Sequence, residues 1–165
     1  MGYGDTRTRM IQQLNMNNPN ITKRVWAIQM RSYQVEASLI GVRSFPPLQE
    51  TADDYKLDSG LFFGCHEKEE LQAVISIQTK HTRLLITRLM VDPEHFRKGI
   101  GTSLINYVST LYKDCTQLEV STATLNTPAV QAYLKNGFVL TEEHVTPEGI
   151  SIVTFVKNIY FGKNN

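Results

Sequence analysis

A strand-like apolar segment that leads into a glycine-containing turn constrains this chain more than any other feature. Residues 84–91 are mostly apolar, and Gly99 and Gly101 follow at the predicted start of a helix. The first N–H groups of a helix lack acceptors within it, and the helix dipole favours negative charge there. Glycine lets the main chain approach a ligand closely. Residues 83–102 therefore predict an anion site, although a tight turn with a close helix–strand contact would give the same pattern.

The composition limits which class of protein carries this turn. The chain has 165 residues and a formal net charge of +1, so no broad basic surface is expected for a nucleic acid. It contains no apolar run as long as a membrane span, and it begins without a signal-peptide pattern. We therefore predict one cytoplasmic domain over residues 1–165, with 1–9 and 158–165 peripheral and with neither nucleic acid nor membrane as a partner.

The cysteines and histidines indicate neither a disulfide nor a metal site. Cys65 and Cys115 form no Cys-x-x-Cys pair, which favours free thiols in a reducing compartment. The four histidines show no metal-ligand spacing among themselves or with the cysteines. No metal is therefore predicted.

The first half of the chain predicts a short strand at 10–14 and a long helix at 21–40. Asn20 is the expected helix cap, and Gly41 the expected end. Residues spaced three and four apart form the expected buried stripe, namely Trp26, Met30, Tyr33, Ala37 and Ile40. Glu36 borders this stripe, so it either faces an adjoining cleft or is an ordinary solvent-exposed glutamate.

A proline-stiffened loop at residues 45–51 follows this helix. The loop carries Glu50, and Thr51 is the expected cap of a short helix after it. Two interpretations of the loop stay open at this point. It is either one wall of a substrate site or a simple connector.

The remaining elements predict an α+β domain. Alternating apolar residues and turns predict an antiparallel meander of three strands, at 61–65, 71–78 and 83–91. The helix from Gly99 and a strand at 117–122 then predict a parallel pair with a right-handed crossover. A short helix at 128–135 and a hairpin of 138–145 with 150–156 complete the chain.

Two motifs in this order resemble those of the GNAT superfamily of N-acetyltransferases. Residues 89–93 (LMVDP) with 97–102 (RKGIGT) are similar to its coenzyme-A-binding motif, and residues 126–129 (NTPA) with Tyr133 and then 137–138 are similar to its next motif. The resemblance implies a mixed, mostly antiparallel sheet of about six to seven strands flanked by about four helices. It also implies a splayed parallel pair of strands at the coenzyme site. Residues 32–37 and 46–51 look like a bacterial subgroup of mostly unassigned acceptors.

The resemblance, which covers about residues 84–140, implies acetyl transfer from acetyl-CoA to an amine by direct attack in a ternary complex. The coenzyme contacts that it implies are Met90, Val91, Arg97, Lys98, Gly99, Ile100, Gly101, Thr102, Asn126 and Tyr133. One position departs from the family pattern. Phe96 occupies a position that is usually Arg or Gln, so Arg97 either supplies the charge from a shifted position or points to solvent.

The candidate catalytic residues are Tyr133, Glu36 and Glu50. The phenol of Tyr133 is protonated at neutral pH and matches the superfamily's usual tyrosine, which makes it the candidate general acid; the alternative is a packing residue. Because the strand at 84–91 has no carboxylate, Glu36 and Glu50 are the candidate bases or binding groups for a cationic amine. Asn126 either contacts a substrate or only caps a helix.

A non-catalytic CoA-binding sensor or scaffold module is the alternative function. A nucleotide-binding protein is disfavoured because the chain has neither Gly-Lys-Ser/Thr nor a six-residue dinucleotide fingerprint. The acceptor is expected to be a small-molecule or peptide amine, and the sequence does not identify it. A monomer and a homodimer paired through C-terminal strands both fit the sequence.

Overall fold

The computed structural model describes residues 9–159, which form one mixed sheet with helices on both faces. The strands are β1 (Arg9–Gln13), β2 (Leu61–Glu67), β3 (Glu70–Lys80), β4 (Arg83–Val91), β5 (Gln117–Ala123), β6 (Val139–Val145) and β7 (Ser151–Asn158). The helices are α1 (Pro19–Ile40), α2 (Ile100–Ser109) and α3 (Thr127–Lys135). Three short 3-10 helices lie at Pro46–Leu48, Ala52–Leu57 and Pro93–His95.

The strand order β1-β2-β3-β4-β5-β7-β6 confirms the predicted sheet. Neighbouring strands are antiparallel except β4 and β5, which pair in parallel around α2 as the crossover helix. Of the roughly four helices predicted, three are α-helical, and the short helix after Thr51 is a 3-10 helix. The predicted peripheral segments fall largely outside the described residues.

Helix α1 begins two residues earlier than predicted. Asn18, not Asn20, is the cap, and its side chain accepts a hydrogen bond from the Asn20 N–H at 2.9 Å. Pro19 fits the first turn because its missing N–H would have no acceptor there. Gly41 ends the helix with φ 73° as predicted.

The buried face of α1 also differs from the predicted stripe. The residues of α1 that are buried are Val25, Ile28, Gln29, Ala37 and Ile40. Trp26 was expected in the core but is 36% exposed. Its indole N–H donates to the Glu50 carbonyl at 2.8 Å, so Trp26 lies along the loop after α1 instead of entering the core.

The two faces of the sheet have separate cores. Helix α2 covers one face, where Ile75, Leu84, Leu104 and Val108 are fully buried. Each such side chain contributes about 1.5–3 kcal/mol on burial. Helix α1 covers the other face, where its residues Val25 and Ile28 share a core cluster with Tyr55, Phe62, Val74 and Met90. Strand β4 therefore lies between two packed layers and rigidly supports the turn at its carboxyl end.

The described residues contain two free cysteines, Cys65 and Cys115, and both are buried. This confirms the prediction of free thiols. Within residues 9–159, no helix is long and apolar enough to cross a membrane.

Candidate active site

The parallel strands β4 and β5 separate halfway along their length. They pair from Arg83 with Gln117 to Ile86 with Val120, and no further. A bulge at Thr87 interrupts the pairing of β4 with β3. The Thr87 hydroxyl donates to the Ser76 carbonyl at 3.1 Å. Bulges bend a strand and increase its twist, which accounts for the separation. We call the space between residues 87–91 and 121–123 the strand gap.

Main-chain donors of β4 face this gap. The Asp92 N–H donates to the Gln72 carbonyl of β3 at 2.9 Å. Because N–H groups alternate sides along a strand, the Met90 N–H also points to β3, whereas those of Leu89 and Val91 point into the strand gap. The main-chain donors that face the gap are therefore those of Leu89 and Val91, while the Met90 side chain is fully buried under α1.

The residues after β4 form a turn rich in main-chain donors, which we call the glycine turn (residues 97–102). Gly99 caps α2 with φ 75°, and no side chain caps this helix. The N–H groups of Ile100, Gly101 and Thr102 therefore lack acceptors within the helix. A left-handed residue followed by a helical one forms an anion-binding nest. The turn thus fits a phosphate group.

The space around the two glycines differs. A Cβ at Gly99 would meet no atom within 4 Å, so its positive φ is the reason for glycine there. A Cβ at Gly101 would lie 3.8 Å from side-chain carbons of Leu89 and Val91, which is ordinary contact. The β carbon at position 101 would therefore lie against the side chains at the end of β4.

The charged residues of the turn are exposed. Arg97 has φ 64°, and its side chain and that of Lys98 are exposed beside the start of α2. Lys98 Nζ lies 3.3 Å from His95 Nδ1. Phe96 is 41% exposed, so it forms no part of the core. The main chain, more than any buried cation, therefore carries the anion-binding potential of this turn.

A cavity of about 90 Å³ opens at the strand gap. Its lining comes from α1, β4, β5 and α3, and consists of Tyr33, Glu36, Ile86, Thr87, Arg88, Leu89, Val120, Ser121, Thr122, Asn126, Ala129 and Tyr133. Three residues singled out in the sequence, Glu36, Asn126 and Tyr133, thus meet in one place. Glu50 does not line this cavity.

Glu36 lies at the cavity with donors around its carboxylate. Burial raises its pKa, and hydrogen bonds from the Asn126 side chain, the Ala123 main chain and the Thr122 side chain offset this only in part. The Asn126 carbonyl oxygen accepts from the Ala129 N–H at 3.4 Å, which leaves its amide N–H groups for Glu36. Asn126 therefore both caps α3 and orients Glu36.

Tyr133 is buried at the opposite wall, with 7% exposure. Its ring packs against Phe138 and Phe155, with centroids 5.4 and 5.7 Å away. Burial, with a further contribution from the Glu36 charge, raises its pKa well above the usual tyrosine range. Its hydroxyl is therefore fully protonated at neutral pH and available as a hydrogen-bond donor.

Glu50 belongs to a polar network next to the cavity. It accepts from Gln29 Nε2 at 2.5 Å and lies 3.3 Å from Arg88 Nη2. Arg88 also donates to Asp58 at 2.5 Å. Gln29 is fully buried and further bonds the Pro47 carbonyl and the Tyr55 hydroxyl. This network fixes the loop at residues 42–58 to α1 and β4.

Arg88 and Tyr33 were not predicted to contribute to the site. One signal for Arg88 was present, since an arginine within an apolar strand is rarely buried unless it is paired. Its partners Glu50 and Asp58 lie 38 and 30 residues away in sequence, so the pairing itself could not be derived from spacing. Tyr33 was assigned to the core stripe; it packs against the core and also lines the cavity.

Comparisons with known proteins agree with this geometry. Residues 41–159 match the family model described as acetyltransferase (GNAT) domain. The UPF0157 protein YqkA of Bacillus subtilis (strain 168) is 35% identical over 146 residues, which cover 88% of this chain. The chain spans 43% of the length of that relative.

Solved structures show the same fold at low identity. The ribosomal-protein-S18-alanine N-acetyltransferase from Escherichia coli is 16% identical with a TM-score of 0.71, covering 95% of this chain and 97% of that one. The PaiA N-acetyltransferase from Thermoplasma acidophilum, in complex with coenzyme A, is 17% identical with a TM-score of 0.70, covering 91% and 98%. Identities this low establish the fold alone.

Proposed function

The chain belongs to the GNAT acetyltransferase family, and on that premise we propose that it transfers the acetyl group of acetyl-CoA to an amine. The observation that carries this proposal is the strand gap. Main-chain donors on β4 and at the glycine turn lie on one side of it, and Glu36 and Tyr133 line the cavity within it. Direct transfer requires the donors that would hold the thioester and the side chains that would act on the amine to meet at a single opening.

The coenzyme would be held mainly by the main chain. The N–H groups of Ile100, Gly101 and Thr102 suit the pyrophosphate, with Lys98 and Arg97 adding charge nearby. The N–H groups of Leu89 and Val91 suit the pantetheine arm and the thioester oxygen, on which negative charge develops during transfer. The thioester supplies the acyl group when bound.

Glu36 is the proposed base. An ammonium has no lone pair with which to attack, so the amine must lose a proton, directly or through water, to a group nearby. Because burial raises the pKa of Glu36 toward neutral pH, its carboxylate is a better proton acceptor than that of an exposed glutamate. Glu50, paired with Arg88 and Gln29, is assigned to shaping the loop instead.

Tyr133 is the proposed acid. If the CoA thiol has a pKa near 8.5, releasing it as thiolate at pH 7 costs roughly 2 kcal/mol more than releasing it as thiol. A positioned phenol offsets part of that cost by donating a hydrogen bond to the sulfur as negative charge develops on it. The packing of its ring against Phe138 and Phe155 holds the hydroxyl in one place.

A turnover screen tests the proposal. The rate of thiol release from acetyl-CoA is measured with polyamines, amino acids, aminoglycosides and N-terminal peptides, and the acetylated product is identified by mass spectrometry. We expect thiol release that depends on the amine, with one acetylated amine for each thiol. Tight binding of coenzyme A without amine-dependent release from any member would favour a CoA-binding sensor or scaffold module.

A further inference from the structure

Arg88 is the positively charged residue in the lining of the strand gap cavity. Its guanidinium is paired with two carboxylates of the protein itself, those of Asp58 and Glu50. Its Nη1 donates to Asp58 at 2.5 Å, and its Nη2 lies 3.3 and 3.4 Å from the two oxygens of Glu50. The guanidinium also lies over the rings of Tyr55 and Phe62, 5.5 and 5.4 Å from their centroids. Only 13% of the Arg88 side chain is exposed.

These contacts remove Arg88 as a partner for a negatively charged substrate. Burial alone would lower the pKa of Arg88, but the hydrogen bond to Asp58 and the charge of Glu50 outweigh burial and raise it. The guanidinium therefore stays charged, and its charge is matched within the protein. Asp58 is equally fixed, with 13% exposure and a second hydrogen bond from the Gly60 N–H at 2.7 Å.

The charges around the cavity leave an excess of negative charge. Arg88 balances one of its two carboxylate partners, so the group of Arg88, Glu50 and Asp58 carries one net negative charge. Ionised Glu36 adds a second. Tyr33 lines the same cavity as Glu36 and Arg88, and the charges of both act on its phenol. A cationic amine meets attraction here, and a carboxylate meets repulsion.

We propose that the acceptor is a cationic amine that carries no carboxylate beside the reacting nitrogen, and that Glu50 and Asp58 enforce this by occupying Arg88. The inference rests on the proposed function, because it names the substrate class for the same cavity. Specificity then comes from a repulsive element as well as an attractive one. Free α-amino acids are disfavoured substrates.

Matched pairs of amines test the proposal. Agmatine with arginine, phenethylamine with phenylalanine and tyramine with tyrosine differ by one carboxylate next to the primary amine. We expect kcat/KM to be at least about tenfold higher for the member without the carboxylate. Calorimetry of agmatine and arginine binding to the CoA-saturated protein should show the same order without requiring turnover.

Two substitutions test the cause of this preference. In the Glu50→Gln/Asp58→Asn double variant Arg88 is released, and we expect the preference to fall by at least about tenfold. Phenylglyoxal should also modify Arg88 faster in that variant than in the wild type, as located by mass spectrometry. Asp53→Asn is the matched control, because Asp53 lies in the same loop, is exposed and contacts only Lys56 among the ion pairs described.

The outcomes separate the two claims. Equal binding and turnover of both members of each pair in the wild type would overturn the inference while leaving the acetyltransferase intact. An unchanged preference in a folded double variant would also overturn the inference. If the double variant does not fold, the same comparison is made with Glu50→Gln and Asp58→Asn separately. Absence of thiol release with every amine would overturn the proposed function, whereas the binding order and the Arg88 modification rate would still decide the inference.

Discussion

The two sides of the strand gap are built in opposite ways. The proposed coenzyme side consists of the end of β4 and the glycine turn, a single run of chain that offers main-chain N–H groups as donors and whose charged side chains are exposed. The acceptor side is assembled from α1, the loop at 42–58, β4 and α3, and depends on buried side chains such as Gln29 and Arg88.

This difference predicts how each side responds to change. A site built from main chain tolerates most side-chain substitutions and fails only when a turn conformation or its charge is altered. A site built from a buried side-chain network fails wherever one partner is removed, because the remaining groups are left unpaired. Substitutions on each side of the strand gap should separate these two kinds of failure.

The largest expected effect is a loss of coenzyme binding in Gly101→Asp. The new carboxylate would lie near Leu89 and Val91, within the first turn of α2, and repel a pyrophosphate bound at the glycine turn. It is compatible with the first turn of a helix, so the fold should persist. We expect coenzyme A affinity to fall at least about 100-fold by calorimetry.

Gly101→Ala is the control for that change. Its Cβ would lie in ordinary contact, 3.8 Å from the nearest side-chain carbons, so most of the affinity should remain. Affinity retained in Gly101→Asp would remove the glycine turn from the coenzyme site.

Tyr133→Phe should lower kcat about 100-fold while leaving coenzyme A affinity unchanged. Phenylalanine keeps the ring contacts with Phe138 and Phe155 and removes only the hydroxyl. Steady-state kinetics and calorimetry together check this split. Tyr107→Phe, on α2 and outside the cavity lining, is the matched control, and an equal loss of kcat in both variants would argue for a general packing effect.

Glu36→Gln should reduce kcat/KM and abolish its acidic limb. Burial raises the pKa of Glu36, so in the wild type the base is progressively protonated, and kcat/KM falls, as the pH drops through that raised pKa. Glutamine cannot titrate, so the limb should disappear with a loss of rate of about tenfold or more. Glu50→Gln should keep the limb, and if the limb persists in both variants, neither residue is the base.

The same raised pKa has a consequence for stability. The folded state binds this proton more tightly than the unfolded state, so the stabilisation is complete below the unfolded pKa of Glu36 and is lost as the pH rises through its folded pKa. The wild type should therefore lose stability relative to Glu36→Gln over that interval.

Gln29→Leu tests the acceptor side through stability. It leaves the buried Tyr55 hydroxyl and the Pro47 carbonyl without their partner, at a cost of about 2 kcal/mol in the free energy of unfolding. The KM for the amine should rise while coenzyme A affinity holds. Gln49→Leu, which breaks an exposed hydrogen bond to Ser44, should change stability little. Equal losses of unfolding free energy in the two variants would mean that the buried network contributes no more to stability than an exposed hydrogen bond.

The sequence predicted the backbone of the proposed coenzyme side better than the side-chain contacts of the proposed acceptor side, for a physical reason. The glycine turn depends on short-range order: a strand, Asp92 and Pro93, then Gly99 and Gly101 opening a helix. A local arrangement of this kind can be predicted from consecutive residues. The same holds for the antiparallel meander and the parallel pair, because alternation and crossover length leave few arrangements.

The acceptor side could not be predicted in this way because its contacts join distant residues. Glu36 was identified, since it borders the helix stripe, but its partners on β5 and α3 depend on how the strands separate. Arg88 and its two carboxylates meet only after the loop at 42–58 folds back over β4. The exposed position of Trp26 goes with its hydrogen bond to the Glu50 carbonyl, a contact that helical periodicity does not contain.

The central claim is that both substrates occupy the strand gap together and that the acetyl group passes directly between them. Two-substrate initial-rate kinetics tests this most directly, with acetyl-CoA varied at several fixed concentrations of an active amine. Direct transfer predicts double-reciprocal lines that intersect, and both cysteines are buried away from a covalent role. Parallel lines, with an acetylated enzyme trapped by mass spectrometry, would contradict the account.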